Sequence, residues 1–560
     1  MRRGLFSASV LVGVASSPHM RQQSFTLLSL CWILPIVCPP PAALSDNPTT
    51  QDGADGLCQK TSVVILGAGV AGITAAQALS NQSIHDFIIV ERNDYIGGRV
   101  AHTNFGFQPD GSPYTVELGA NWVQGLGSEG GPENPIWTLA KIYNITNHFS
   151  NYSDILTYNE TGAVDYTDLF DVFEDAYSIA EQTAGVYLRD NLQDTTMRVG
   201  MSISGWKPKK NMAAQAVEWW ELDWETAQNP DSSAFVFGIV GFNSTFYQFS
   251  GENNFVFDER GFNAFIIGEA STFLRQNDSR LLLNTEVKNV TYSSDEVIIH
   301  NADGTCISAS YAICTFSLGV LQNDVVPFNP PLPTWKRTAI ESFHMGTYTK
   351  IFFQFNETFW DPDTQFFLYA DPNQRGYFPV WQSLSTPGFL PGSNIIFVTV
   401  VGEESYRVEQ QSDEETQAEA MAVLHQMFPE KNIPDPIAFM YPRWSLEPWA
   451  HGSYSDWATG VTLERHQNLR TNVDRLWFAG EAYSAEYFGF LQGAWFEGRD
   501  VGSRIAGLLG KECTNEDVNG NSAGACGPMK RYQVLHGTTR EEEYDIANGW
   551  SASSFLTFGF

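Results

Sequence analysis

A tight glycine turn between a buried strand and a helix limits the folds open to this chain more than any other feature. Gly67-Ala68-Gly69-Val70-Ala71-Gly72 follows the apolar run "TSVVIL" and opens "VAGITAAQALSN". Glycines let a backbone come close to a pyrophosphate, and a helix N-terminus favours its negative charge. "DFIIVER" reads as the next buried strand, so the order strand, helix, strand predicts an α/β fold with a parallel sheet. Glu91 closes that strand nineteen residues after Gly72. A carboxylate at that place can accept hydrogen bonds from a ribose diol. With its flanking elements and its acid, the pattern predicts a bound dinucleotide.

Two further stretches say which one. "NDYIGGRV" follows Glu91 directly, and Gly97, Gly98 and Arg99 offer backbone donors and a cation to the same phosphates. Near the C-terminus, "RLWFAGEAYSAEYFGFLQGAWFEGRDVGSRIAG" reads as strand, glycine turn and long helix. A second helix N-terminus near the cofactor suits the ribityl and isoalloxazine end of FAD, and NAD enzymes do not need it.

The 560 residues suffice for roughly two or three domains with a large core. The formal charge of −32 repels nucleic acid and anionic membranes and attracts cations. Residues 1–45 read as a targeting segment, with Met20-Arg21, the apolar run "FTLLSLCWILPIV" and a small-residue cleavage site at Ala43-x-Ser45. The run is too short and too proline-capped for a membrane span. A secreted, N-glycosylated protein is therefore expected, without a membrane anchor once the signal is removed. Sequons at Asn81, Asn144, Asn151, Asn159, Asn243, Asn277, Asn289 and Asn356 agree with that route. Of the seven cysteines, two fall in the expected signal. Cys513 and Cys526 could form a local disulfide in a polar tail from about Lys511. Cys306 and Cys314 flank a predicted strand and read as buried thiols. No CxxC pair or His/Cys cluster suggests a metal.

Other segments fill in the architecture. "RLLLNTEVKNVTYSSDEVIIHNADGTCISASYAIC" predicts strands broken by Ser-Ser-Asp and Asp-Gly turns. "DEETQAEAMAVLHQMF" predicts an amphipathic helix with an acidic first turn. "YTKIFFQF" predicts a core strand, yet it carries Lys350, a residue depleted in strands and rarely buried without a partner.

Four motifs occur in order: "VVILGAGVAGITAAQAL…IIVERNDYIGGR", "VELGANWVQG", "YTKIFFQF" and "FAGEAYSAEYFGFLQGAW". In them the chain resembles the flavin-containing amine oxidases, most closely the secreted polyamine oxidases of plants and fungi, from about residue 62 to residue 509. The resemblance implies a Rossmann-like FAD domain interleaved with an α+β substrate domain, the p-hydroxybenzoate hydroxylase/monoamine oxidase-like topology. FAD-domain segments would be 61–144, 252–330 and 440–510, and substrate-domain segments 145–251 and 331–439, followed by a tail over 511–560. It also implies that the Val287 backbone meets the adenine and that Glu481 lies near the ribityl-pyrophosphate. Lys350 would hold a water against flavin N5. Some relatives attach flavin through a C-terminal-region cysteine. None occurs here between Cys314 and Cys513, so FAD should be noncovalent.

For the substrate, the resemblance places Tyr454 and Phe490 as an aromatic pair before the flavin, with Tyr348 on the same side of its strand as Lys350. Glu225 matches a tunnel acid. Gln124 stands where the plant enzymes carry glutamate, and it cannot neutralise an ammonium. Phe490 replaces a tyrosine and makes the pocket more apolar, while Glu117 reads as a structural anchor. The implied chemistry is hydride transfer from a neutral amine to flavin N5, hydrolysis of the resulting imine to aldehyde plus amine, and reduction of O2 to hydrogen peroxide. The alternatives are the same chemistry on a monoamine or specialised metabolite, or a flavin-binding protein without turnover. The sequence is silent on oligomeric state.

Overall fold

Val63 to Leu66 are fully buried, and the strand they complete, Gln59–Leu66, is paired on both sides. The computed structural model describes residues 58–190, 192–246, 249–511 and 527–531. The expected signal and the Cys513–Cys526 pair lie outside them. Gln59–Leu66 runs parallel to Phe87–Val90 on one side and to Cys306–Cys314 on the other. Cys306–Cys314 in turn pairs parallel with Leu476–Phe478. Beyond it, Val297–Asn301 and Val287–Tyr292 extend the eight-stranded sheet as an antiparallel meander. The sheet thus draws its strands from residues 59–90, 281–329 and 476–478.

Helix Val70–Asn81 lies along the C-terminal helix Leu491–Leu508. Gly498 and Gly502 permit the approach: a Cβ at either would fall 2.2 Å from Ala71 O or 2.6 Å from Ala75 O. Ala71 meets Gly498 and Ala75 meets Gly502, so the two helices run in the same direction.

A second, mainly antiparallel sheet of seven strands holds Tyr348–Gln354 between Ala438–Met440 and Ile395–Val401. Almost all of its central residues are buried. Helix Asp413–Met427 carries the expected acidic first turn, closed by a capping box of Ser412 and Glu415. A three-stranded sheet of Trp122–Gln124, Asn253–Val256 and Asn147–Phe149 joins residues that the sequence reading divided between its FAD-domain and substrate-domain segments.

One expectation fails. Cys306 is not a free thiol but is joined to Cys58, with Cα atoms 4.7 Å apart. The pairing follows from register: Gln59 lies opposite Ile307 in adjacent parallel strands, which brings the preceding residues together. Cys314, at the far end of the same strand, is the buried thiol expected, and burial pushes its pKa up to about 12. Among the sequons, Asn243 is only 1% exposed, and its amide donates to Glu181, so a glycan cannot reach it in the folded chain.

Candidate active site

One continuous cavity runs from the glycine turn to a set of aromatic side chains and carboxylates. At the turn, Gly67 adopts φ +114°, and a Cβ there would lie 2.4 Å from Thr315 Oγ1. A Cβ at Gly72 would lie 2.0 Å from Gly67 O. Gly69 differs: its φ is −74°, and a Cβ would meet nothing closer than Gly97 O at 3.9 Å. Gly97 N donates to Ala68 O at 3.0 Å, so the second glycine loop is stitched to the first. Neither Gly69 nor Phe490 caps its helix with a side chain, and both helix starts line the cavity. Open space above Gly69, two uncapped helix N-termini and a paired glycine loop together form a cradle for a diphosphate. These residues fit FAD.

Glu91 is buried, and its two oxygens accept from Ala68 N and Asn93 N, each at 2.8 Å. Burial raises its pKa. The acid therefore anchors the turn as well as facing the cavity where a ribose diol is expected. Val287 also lines the wall, next to an irregularity in its strand's register. Arg99 donates to Ser453 O and Glu481 Oε1, both at 2.9 Å. The other Glu481 oxygen accepts from Ser455 Oγ at 2.6 Å and Gly489 N at 2.9 Å. Arg99 is thus already matched in charge, and the pair clasps three loops of the wall.

Lys350 is fully buried and pairs with Thr399, so it is not a solvent-facing lysine guarding a sheet edge. Its Nζ donates to Gly119 O at 2.9 Å and Asn121 Oδ1 at 2.8 Å, and lies 5.9 Å from the Trp122 ring centre. Gly119, Asn121 and Trp122 line the cavity, which places the ammonium one layer behind the wall. Burial pulls its pKa down, and the Glu117 carboxylate opposes that. Burial in turn raises Glu117, whose Oε1 accepts from Phe262 N at 2.6 Å. Glu117 is an anchor, as expected, and also the counter-charge of Lys350.

At the other end Gln124 and Glu225 meet. The Gln124 amide donates to both carboxylate oxygens at 3.2 Å. Burial pushes Glu225 up to about 7, with the Gln124 hydrogen bond working against it. Tyr454 OH donates to the Glu225 backbone carbonyl at 2.9 Å, and its ring centre lies 6.0 Å from that of Tyr348. Phe490 lines the same cavity and meets Phe246 edge-on at 6.3 Å. The cofactor and substrate residues singled out from the sequence all line this cavity except Lys350 and Gly72, and the anchor Glu117 also lies outside its wall.

The sequence reading passed over Trp122, Trp224, Tyr152 and Glu221, all of them in the wall. Trp224 meets Trp122 at 5.9 Å and Tyr152 at 5.3 Å. The signal was present in "WWELDWE", where aromatic and acidic residues alternate along one helix. That helix widens into a π turn over Trp219–Asp223 and stops at Ala227, which adopts φ +55°. π turns interrupt helices at functional sites with above-average frequency.

A diphosphate cradle joined to an aromatic, carboxylate-bearing chamber is the site of a flavin enzyme acting on amines. The chain belongs to the flavin containing amine oxidoreductases, whose sequence profile matches residues 70–506. It is 35% identical over 477 residues to polyamine oxidase 1 of Zea mays, covering 82% of this chain and 93% of that protein. It is 34% identical to polyamine oxidase 7 of Oryza sativa subsp. japonica, covering 78% and 93%. Among solved structures, wild-type putrescine oxidase bound to putrescine superposes with a TM-score of 0.63 at 17% identity, over 81% of this chain and all of the other, and shares the fold. The protein is an FAD-dependent amine oxidoreductase.

Proposed function

We propose that the chain oxidises a polyamine (spermine, spermidine or an acetylated form) with O2 as acceptor. The observation that carries the reading is the Glu225 carboxylate, held by Gln124 in an aromatic chamber where, among the described residues, no lysine or arginine pairs with it. A cationic nitrogen is the natural partner for such a group.

FAD, when bound, supplies hydride acceptance at N5 and reoxidation by O2. The chain's own residues bind, orient and desolvate. Tyr348, Tyr454 and Phe490 offer apolar faces to the alkyl chain. The water-poor wall lowers the pKa of an ammonium beside it, which favours the neutral amine needed at the reacting nitrogen. Gln124 fixes both Glu225 oxygens, so the acid meets a second nitrogen in one orientation. Lys350, held by Gly119 O and Asn121, is placed to hold a water or a proton just behind the wall. The sum is amine plus O2 plus water giving aldehyde, released amine and hydrogen peroxide. FAD is held noncovalently in this reading, which the absence of cysteine from the cavity wall among the described residues supports. The Cys58–Cys306 bond supports passage through an oxidising compartment and secretion.

A monoamine or specialised amine is the competing reading, favoured by the neutral Gln124. Glu225→Gln separates them. Loss of a charged hydrogen bond of about 1.5–3 kcal/mol lowers kcat/KM for a polyamine roughly 10- to 150-fold. Under the competing reading the variant leaves kcat/KM for the best substrate within about twofold.

A further inference from the structure

We propose that Glu221 forms a second cation subsite, which binds a charged substrate nitrogen one helical turn from Glu225 and selects amines with two separated positive charges. This rests on the polyamine reading above and names the residue that would set its specificity.

Four acids lie on this helix. Glu218 and Asp223 are buried and matched by arginines: Arg375 donates to both Asp223 oxygens at 2.6 Å and reaches Glu218 at 3.1 Å, and Arg198 also binds Glu218. Among the described residues Glu221 and Glu225 have no cation, and these two line the cavity. Among the described residues Glu221 makes no hydrogen bond or ion pair. Burial pushes its pKa up to about 8, and the repelling charge of its neighbour Glu174 adds to this. An unmatched, desolvated carboxylate is costly to a fold, and a bound cation relieves that cost.

The surroundings match a polyamine. Glu221, Leu222, Glu225 and Thr226 present one face to the cavity. The two acids are about one helical turn apart, ~5–6 Å along the axis, close to the spacing of two nitrogens joined by a propyl or butyl chain. Leu222 offers an apolar stretch for the methylenes. Tyr177, three residues after Glu174 and so on the same helix face, lines the cavity, as does Phe242, 5.9 Å from it edge-on. Carboxylate plus aromatic faces is the chemistry that recognises an alkylammonium. An amine that is neutral or apolar at the corresponding position gains nothing from Glu221.

The test uses FAD-loaded Glu221→Gln and wild type, titrated anaerobically with spermidine and with dibutylamine, a monocation of similar length, while flavin bleaching gives Kd and the limiting rate. The expected result is a Kd for spermidine raised tenfold or more, a limiting rate within twofold of wild type, and no change for dibutylamine. Glu221→Asp, which keeps the charge, restores most of the affinity. Glu174→Gln, which removes a nearby exposed charge, stays within about twofold. An unchanged spermidine Kd in Glu221→Gln, an equal rise for both amines, or an equal effect of Glu174→Gln overturns the subsite. Failure of spermine, spermidine and N1-acetylspermine alike to bleach the wild-type flavin overturns the polyamine reading itself.

Discussion

Replacing Gly69 by alanine separates holding the cofactor from holding the fold. Gly69 has a φ of −74° that any residue adopts, and its missing Cβ has no neighbour within 3.9 Å. The apo fold should therefore change by about 0.5 kcal/mol or less. The new methyl nevertheless projects into space that the site reserves for the diphosphate. Forcing a methyl into a filled site costs about 1–3 kcal/mol, a rise of roughly 5- to 150-fold in the Kd for FAD. Gly72→Ala is the contrast. Its Cβ would fall 2.0 Å from Gly67 O, so the turn itself must move and the apo protein loses stability. Thermal unfolding of the apo variants gives the first quantity, and quenching of FAD fluorescence on titration gives the second. If Gly69→Ala bound FAD within twofold of wild type, the cradle would lie elsewhere. If it unfolded as early as Gly72→Ala, the openness above the turn would have been misjudged.

Other outcomes follow from the same structure. Removing the Cys58–Cys306 bridge, which closes a sequence separation of 248 residues, should cost about 2–5 kcal/mol, and wild type should lose the same amount on reduction. The measurement is thermal unfolding with and without reductant. Glu225 titrates near 7 because burial disfavours its charge. The value of kcat/KM for a dication should thus rise between about pH 6 and 8 as the carboxylate ionises, and Glu225→Gln should lose that limb. Raised acids also tie stability to pH in a fixed direction. Glu221 and Glu225 fold most favourably when protonated, so their contribution is complete below their unfolded pKa of about 4.3 and is lost as pH climbs to about 7–8. Apo Glu221→Gln should show a flatter stability profile over that window.

The dinucleotide site was legible because its physics is local. A glycine that must leave room, a helix that starts there and an acid at the end of the next strand lie within 25 residues, from Gly67 to Glu91. The lysine in "YTKIFFQF" was legible as an anomaly. Its acceptors, Gly119 O and Asn121, and the Glu117 charge that acts on it became visible only once strands more than two hundred residues apart were brought together. The Cys58–Cys306 pair was missed for a similar reason. Each cysteine stands at the start of its strand, and nothing in either segment says that the two strands are neighbours in that register. Glu221 was missed because a carboxylate on a helix is ordinarily solvated. Only the arginines beneath Glu218 and Asp223 reveal which acids of that helix turn inward without a partner.

The most direct test of the account is an anaerobic titration of the purified yellow protein with spermine, spermidine, N1-acetylspermine and benzylamine in separate runs, following flavin absorbance. The account predicts rapid bleaching by at least one polyamine and slow or absent bleaching by benzylamine. Bleaching by dithionite but by none of the three polyamines would contradict it.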